Sequence, residues 1–199
     1  LSGDFSLLAD HDSRLHVFTM AMGGGAVGAG LAVDVVKGES ETETALEDAK
    51  ISFTGDGASK ASVLAKNHTE NHYKQLSPSV AGVAAAGSVG VSNFNDTVRT
   101  HLQNATIGAA DRRARQIDVK AENDTLAETR AYQGTLGLAN VGVGVNVATL
   151  DSQTETSIKG GSLFSKGDLT VAANERRDTS LDTMNFGASA GGNTLNTTV

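Results

Sequence analysis

The stretch MAMGGGAVGAGLAVDVV, Met20 to Val36, admits three readings that lead to three different proteins. It contains Gly23-x-Gly25-x-x-Gly28, the glycine spacing of a dinucleotide-binding loop. It is nearly free of charge, as a membrane segment is. From Leu31 through Val33 to Val35 it alternates like a strand. Its relation to the rest of the chain decides among the three.

The chain resembles itself at a step of 56 residues: Thr44, Thr100 and Thr156 are spaced so (100 − 44 and 156 − 100). The same step joins Val33, Val89 and Val145, then Val35, Val91 and Val147, then Leu46, Leu102 and Ile158, then Ile51, Ile107 and Leu163. Upstream it joins Ala9, Ala65 and Ala121, and Ser13, Thr69 and Thr125. Past Leu163 the register shortens, because Val119 is matched by Val171, 52 positions on. The four missing residues fall between Leu163 and Leu169, where a surface turn tolerates a deletion. A further copy begins at NTLNTTV, with Leu195, Thr197 and Val199 over Val143, Val145 and Val147. The chain thus reads as one array, with copies at roughly 1–23 (partial), 24–79, 80–135, 136–187 and 188–199 (partial).

This periodicity removes the nucleotide reading. Gly23 is matched by Ser79 and Thr135, and Gly28 by Ala84 and Asn140. A phosphate cradle needs glycine at those places, followed by a helix. A membrane helix needs about 20 apolar residues, and the third copy, GLANVGVGVNVATL, is shorter and carries two asparagines. The stretch is read as a strand, not as a membrane span, with Val33, Val89 and Val145 expected to face inward.

Composition agrees with thin stacked layers. Of 199 residues 39% are hydrophobic, largely Ala and Val, while aromatics are 4%, with 23 Gly, one Pro, no Trp and no Cys. The formal charge of −7 argues against a nucleic-acid partner, which requires clustered cations. The only basic cluster, DRRARQ at Asp111–Gln116, reads as a solvated loop. Without cysteine there is no disulfide framework and no thiolate metal site, a composition compatible with export. LSGDFSLLADHD shows no signal-peptide pattern and reads as a strand with a predecessor, so the chain is expected to be a slice of a longer protein. Uncapped ends predict end-to-end self-association.

The expected fold is all-β, a parallel β-solenoid. Strands are read at AKISF, ASVLAK and DLTVAA, with turns at TGDGAS, KNHTEN, LDSQ and SKGD. Helical periodicity is weak, with AENDTLAETRAYQ the best case. SIKGGSLFSKGDLTVAANE is close to one coil of 19 residues. Three such coils per 56-residue unit are favoured over two larger ones, which predicts roughly ten coils and a rod of about 50 Å.

Ile158–Glu175, IKGGSLFSKGDLTVAANE, resembles the coil unit of filamentous haemagglutinin-type exoproteins of Gram-negative bacteria. The block VGVGVNVATLDSQTETSI followed by GDLTVAA is similar to the large filamentous adhesins of the leukotoxin type. The resemblance runs through essentially the whole chain. It implies a right-handed parallel β-helix in a virulence-associated protein, secreted or anchored at the outer-membrane cell surface and exported by a two-partner or autotransporter route. The implied function is a structural and binding shaft in attachment to host cells, with a host-cell receptor or glycan as partner.

Three sets of residues carry candidate chemistry. His11, His16, His68 and His72, with Asp10, Asp12 and Glu70, have metal-ligand residue types. The third copy replaces them with Asn123 and Glu128, so solvated turn histidines are the expectation. Glu41, Glu43 and Asp48, in GESETETALED, could form a carboxylate pair of a carbohydrate-active β-helix, yet later copies keep the threonines and lose most acids. A charged outer face is expected there, and Gly55-Asp56-Gly57 is read as a turn. Asn67, Asn95, Asn104, Asn123 and Asn196 begin Asn-x-Ser/Thr triplets and are candidate glycosylation sites. No catalytic, metal-binding or cofactor-binding residue is assigned, and the chain is read as a non-enzyme. The alternative reading is a polysaccharide lyase or hydrolase, and a weaker third is a cell-lysing toxin segment.

Overall fold

Up to Ile107 nearly every strand residue pairs with the residue 56 positions further along, and that offset organises the molecule. The computed structural model describes residues 1–188 and 192–198. The strands are β1 (Phe5–Met20), β2 (Gly23–Glu47), β3 (Lys50–Ile51), β4 (Lys60–Gln103), β5 (Thr106–Ile107), β6 (Gln116–Leu136), β7 (Ala139–Lys159), β8 (Ser162–Leu163), β9 (Leu169–Ala188) and β10 (Gly192–Thr198). All pairings between them are parallel. Phe5 lies on Ala61 and Ala61 on Ile117, while Val33 lies on Val89 and Val89 on Val145. Beyond the short turn the offset becomes 52, with Ile117 on Leu169 and Val143 on Leu195.

Each layer has two long arms. In the second layer β4 runs outward from Lys60, bends near Ala81-Gly82-Val83 and returns to Gln103. Its outgoing half pairs with β1 and β6, its returning half with β2 and β7. The arms face each other through side chains. Thr44 Oγ1 donates to the Leu64 carbonyl (2.9 Å), and Gln75 Nε2 to that of Val89 (3.0 Å). Four such layers stack through backbone hydrogen bonds. At about 3.3 Å per residue an arm of some 20 residues extends roughly 65 Å, and four layers about 4.8 Å apart make a thin blade.

Alternation explains why these residues form strands. On the outgoing arm the odd positions from Ala61 to Ala81 are buried, and on the return arm the even positions from Ala84 to Leu102. The switch of parity across the bend keeps both sets between the sheets. The interior residues are small or polar along most of the blade: Asn67, Thr69, Gln75, Ser77, Ser88 and Ser92 are all buried. The apolar core sits at the base, where Val63, Leu102, Ile107, Ile117 and Val119 close around Phe53. There β3, β5 and β8 form a short third sheet. The arm reaches that base through a left-handed corner at Asp48 (φ 47°), Asn104 (φ 51°) and Gly160 (φ 72°), with Gly161 (φ 81°) also left-handed in the third layer. Asn104 Nδ2 donates to Asp48 Oδ1 at 3.0 Å, linking two corners.

Three expectations are corrected. The 56-residue unit holds neither three coils nor two, since hydrogen-bonded neighbours are 56 residues apart rather than about 19. The ten-coil rod is replaced by four broad layers. KNHTEN and LDSQ are not turns but strand interior, in β4 and β7. TGDGAS and SKGD do connect strands, and the four-residue shortening lies between Leu163 and Leu169. Val33, Val89 and Val145 face outward, with Val33 58% exposed, because the wall buries their neighbours Ala32, Ser88 and Asn146 instead. Leu195 and Thr197 do pair with Val143 and Val145, while Val199 lies outside the described residues.

Candidate functional site

The outer face of the outgoing arm carries rows of ionisable residues in which acids alternate with basic residues from layer to layer, except where His16 lies on His72. β1, β4, β6 and β9 align Asp10 with Lys66, Glu122 and Asn174, and align Asp12 with His68, Asp124 and Arg176. The next rows align Arg14 with Glu70, and His16 with His72 and Glu128. These outward positions lie on one surface because side chains two apart in a strand share a face. Lys66 Nζ approaches Glu122 at 3.5 Å, Arg14 approaches Glu70 at 3.4 Å, and Arg176 approaches Asp124 at 3.8 Å. A shallow groove of about 340 Å³ runs between Asp10, Lys66, His68, Asp124, Glu175 and Arg176.

The histidines are brought together as a row, not in turns. His16 and His72 stack, and His72 Nδ1 lies 2.8 Å from Glu128 Oε2. His68 lies between Glu70 (3.0 Å) and Asp124 (3.4 Å). His11 sits on the opposite parity, paired with Asn67. Hydrogen bonding to His72, aided by Arg130, holds the Glu128 carboxyl below the usual range, and His68 does the same for Glu70. Among the described residues no three His, Asp or Glu side chains converge as a metal site.

The return arm presents a second charged surface. His101 sits between Glu43 (3.1 Å) and Glu47 (2.9 Å), and Arg99 bonds Glu41 at 3.1 Å. Asp48 stands apart at the corner, so Glu41, Glu43 and Asp48 do not form a facing carboxylate pair. Each acid is matched to a partner in the next layer. Asp56, in the Gly55-Asp56-Gly57 turn, binds Arg113 (3.0 Å) and Lys166 (3.4 Å), which holds its carboxyl far below the usual range. The DRRARQ loop is therefore tied to its neighbours through Arg113.

Alongside the buried acids Asp96 and Asp118, the half-buried Asp34 forms a node between the arms that sequence reading missed. Tyr73 Oη donates to Asp34 Oδ2 at 2.5 Å and Gln75 Nε2 to the same oxygen at 2.9 Å. Burial opposes the Asp34 charge, yet these bonds keep its carboxyl below the usual range. Burial and that carboxylate push the Tyr73 phenol well above its ordinary value. Asp34 interrupts an otherwise uncharged run beside Val33 and Val35, and its opposite parity to those valines was the available signal.

Asn67 and Asn123 are buried, and Asn67 Nδ2 donates to Asn123 Oδ1 at 2.8 Å, so these two glycosylation candidates form an internal ladder. Asn95 and Asn104 are exposed. The side chain of Asn196 lies outside the described residues. No protein-family model, no curated protein and no solved structure matches this chain. Among the described residues no helix is long and apolar enough to cross a membrane.

Proposed function

We propose that this chain is a segment of the binding shaft of a filamentous adhesin: a right-handed parallel β-helix of 56-residue repeats, secreted or held at the outer-membrane surface of a Gram-negative bacterium. It resembles the haemagglutinin and leukotoxin types in the quoted segments. The observation that carries the reading is the constant 56-residue offset, kept along both arms and the base from β1 to β7. A stack in which each residue class sits on its own kind can be lengthened along one axis and repeats its outward rows as it grows. Most of the ion pairs run between layers, as Lys66–Glu122, Arg99–Glu41 and Arg113–Asp56 do. The charged rows of the outgoing and return arms are the surfaces offered to a host-cell receptor or glycan. Unpaired backbone groups on the first and last layers favour end-to-end association.

The test is adhesion. Beads coated with the chain should be retained on cultured host-cell monolayers above beads carrying an equally acidic control protein. Exchange of Lys66 and Arg176 for Glu should reduce that retention. Equal retention of chain and control, or release of reducing ends from a polysaccharide panel, would overturn the reading, the latter in favour of a carbohydrate-active β-helix.

A further inference from the structure

The distal end of the blade is uncharged on every outer surface. No Asp, Glu, Lys, Arg or His occurs in residues 17–33, 75–95 or 131–150. The nearest acid on the return arm of the first layer, Asp34, turns onto Tyr73 and Gln75. Gln75, Ser77, Gln133 and Asn146 are buried between the sheets, whereas Asn93, Asn95 and Thr149 are exposed at the end of the zone away from the bend. Nearer the bend the outward side chains are mainly apolar. Met22, Val27, Val80, Val83, Leu136 and Leu138 flank the bends of three successive layers, and each is more than half exposed. Phe18, Leu31, Val33, Val143 and Phe186 extend the apolar surface down both faces. Lys74 and Arg130 mark its border on the outgoing arm.

We propose that this tip docks shallowly in the surface of a lipid bilayer. Three properties favour lipid over a protein. The apolar surface wraps both faces and the bend, whereas a protein partner covers one side. The tip carries no arginine, an anchor that protein interfaces favour at their centres, and its exposed Phe18 and Phe186 suit a bilayer surface as its aliphatic side chains do. One distal face, nine residues by four layers, offers about 30 Å by about 19 Å, on the order of 600 Å². That is below the roughly 800 Å² per partner of a stable complex, so a second copy laid face to face is poorly held. An uncharged convex end complements hydrocarbon, which needs neither register nor charge.

Depth follows from the border. Lys74 and Arg130 stay outside the hydrocarbon, and the tip docks at the boundary of headgroups and acyl chains, about 5–10 Å deep. This inference stands apart from the adhesin reading.

The chain has no cysteine, so a single introduced thiol carries a unique label. Leu138→Cys bearing an environment-sensitive fluorophore should shift to the blue with phosphatidylcholine vesicles, while Leu8→Cys, on the charged part of the blade, should not. The unlabelled chain should float with those vesicles. Leu136→Glu with Leu138→Glu, or Val80→Glu with Val83→Glu, should cut the vesicle-bound fraction at least tenfold at unchanged circular dichroism. The proposal fails if the folded chain does not float, or if a folded double variant floats equally well. It also fails if the Leu138 label shifts without vesicles in proportion to protein concentration, which would make a second copy the occupant.

Discussion

The Thr100 hydroxyl donates to the Lys120 carbonyl across 2.7 Å, bridging from the return arm of one layer to the outgoing arm of the next. Thr44 and Thr156 do the same toward Leu64 and Ala172, so one threonine position builds a staircase through the stack. Thr100 also accepts the buried Ala65 amide at 3.1 Å. Thr100→Val leaves both backbone groups without a partner and should cost about 2–3 kcal/mol. Thr100→Ser should recover most of it. Urea titration reads the difference, and equal midpoints for Val and wild type would refute the staircase.

Outward and inward positions should separate cleanly by substitution. Val63 is fully buried in the base core between Leu7 and Val119, and Val63→Ala should destabilise by about 2 kcal/mol. Val89 faces outward, and Val89→Thr should stay within about 0.5 kcal/mol. A larger loss at Val89 than at Val63 would restore the opposite facing.

Acid should weaken the stack. Glu70 and Glu128 have folded-state pKa values lowered by their histidine partners. Asp118 is lowered too, since bonds from Lys60 and Gln116 outweigh its burial. A lowered folded value means stability is complete above the unfolded value, near ~4 for carboxyls, and lost as pH falls through the folded one. The melting temperature should drop between about pH 5 and about pH 3, and Glu128→Gln should flatten that fall. A melting temperature that rises on acidification would contradict the assignment.

The left-handed corner constrains residue type. Gly160 has φ 72°, and an added Cβ would stand 2.7 Å from Asn104 Oδ1. Gly160→Val should cost at least about 2 kcal/mol, since a β-branched residue resists that conformation and the contact is too close. Asn104→Gly should cost less than about 1 kcal/mol, losing one exposed hydrogen bond and no conformational freedom it needs. Calorimetry of the two variants gives the order.

Amide exchange should be slowest in the segments that pair on both sides, Ala61–Leu102, Ile117–Leu136 and Asn140–Asn146. It should be faster in β1 and β2, which pair on one side only. Equal protection in β1 and β4 would point to a partner on the outer layer.

Much of this architecture was legible. The recurrence of Thr44, Thr100 and Thr156 carries the pairing offset, and the Val119–Val171 spacing carries the shortened turn. The layer length was not legible, because polar ladders look like turns in one dimension. Asn67 and Asn123 read as loop residues, yet between the facing sheets Asn67 Nδ2 donates to Asn123 Oδ1 and the two form a ladder. Facing failed for a related reason. Valine alternating with glycine or asparagine predicts a valine core, and only the partner arm's Gln75 and Tyr73 show that the polar set is inside. The charged rows hid as well, since Lys66 and Glu122 are matched across 56 residues rather than within a local motif.

Constant register together with variable turns sets rules for how such a gene can change. Within an arm, one inserted codon would turn every following side chain up to the bend to the wrong face. Between Ile107 and Ile117 several codons can be lost, as they are between Leu163 and Leu169, with no change in what stacks on what. Unequal crossing-over between neighbouring copies delivers whole layers in frame, and each arrives with its hydroxyl staircase and counter-charges already in place. The length of the blade's stack is thus a quantity that recombination can adjust in unit steps, while point mutation is left to vary the outward rows.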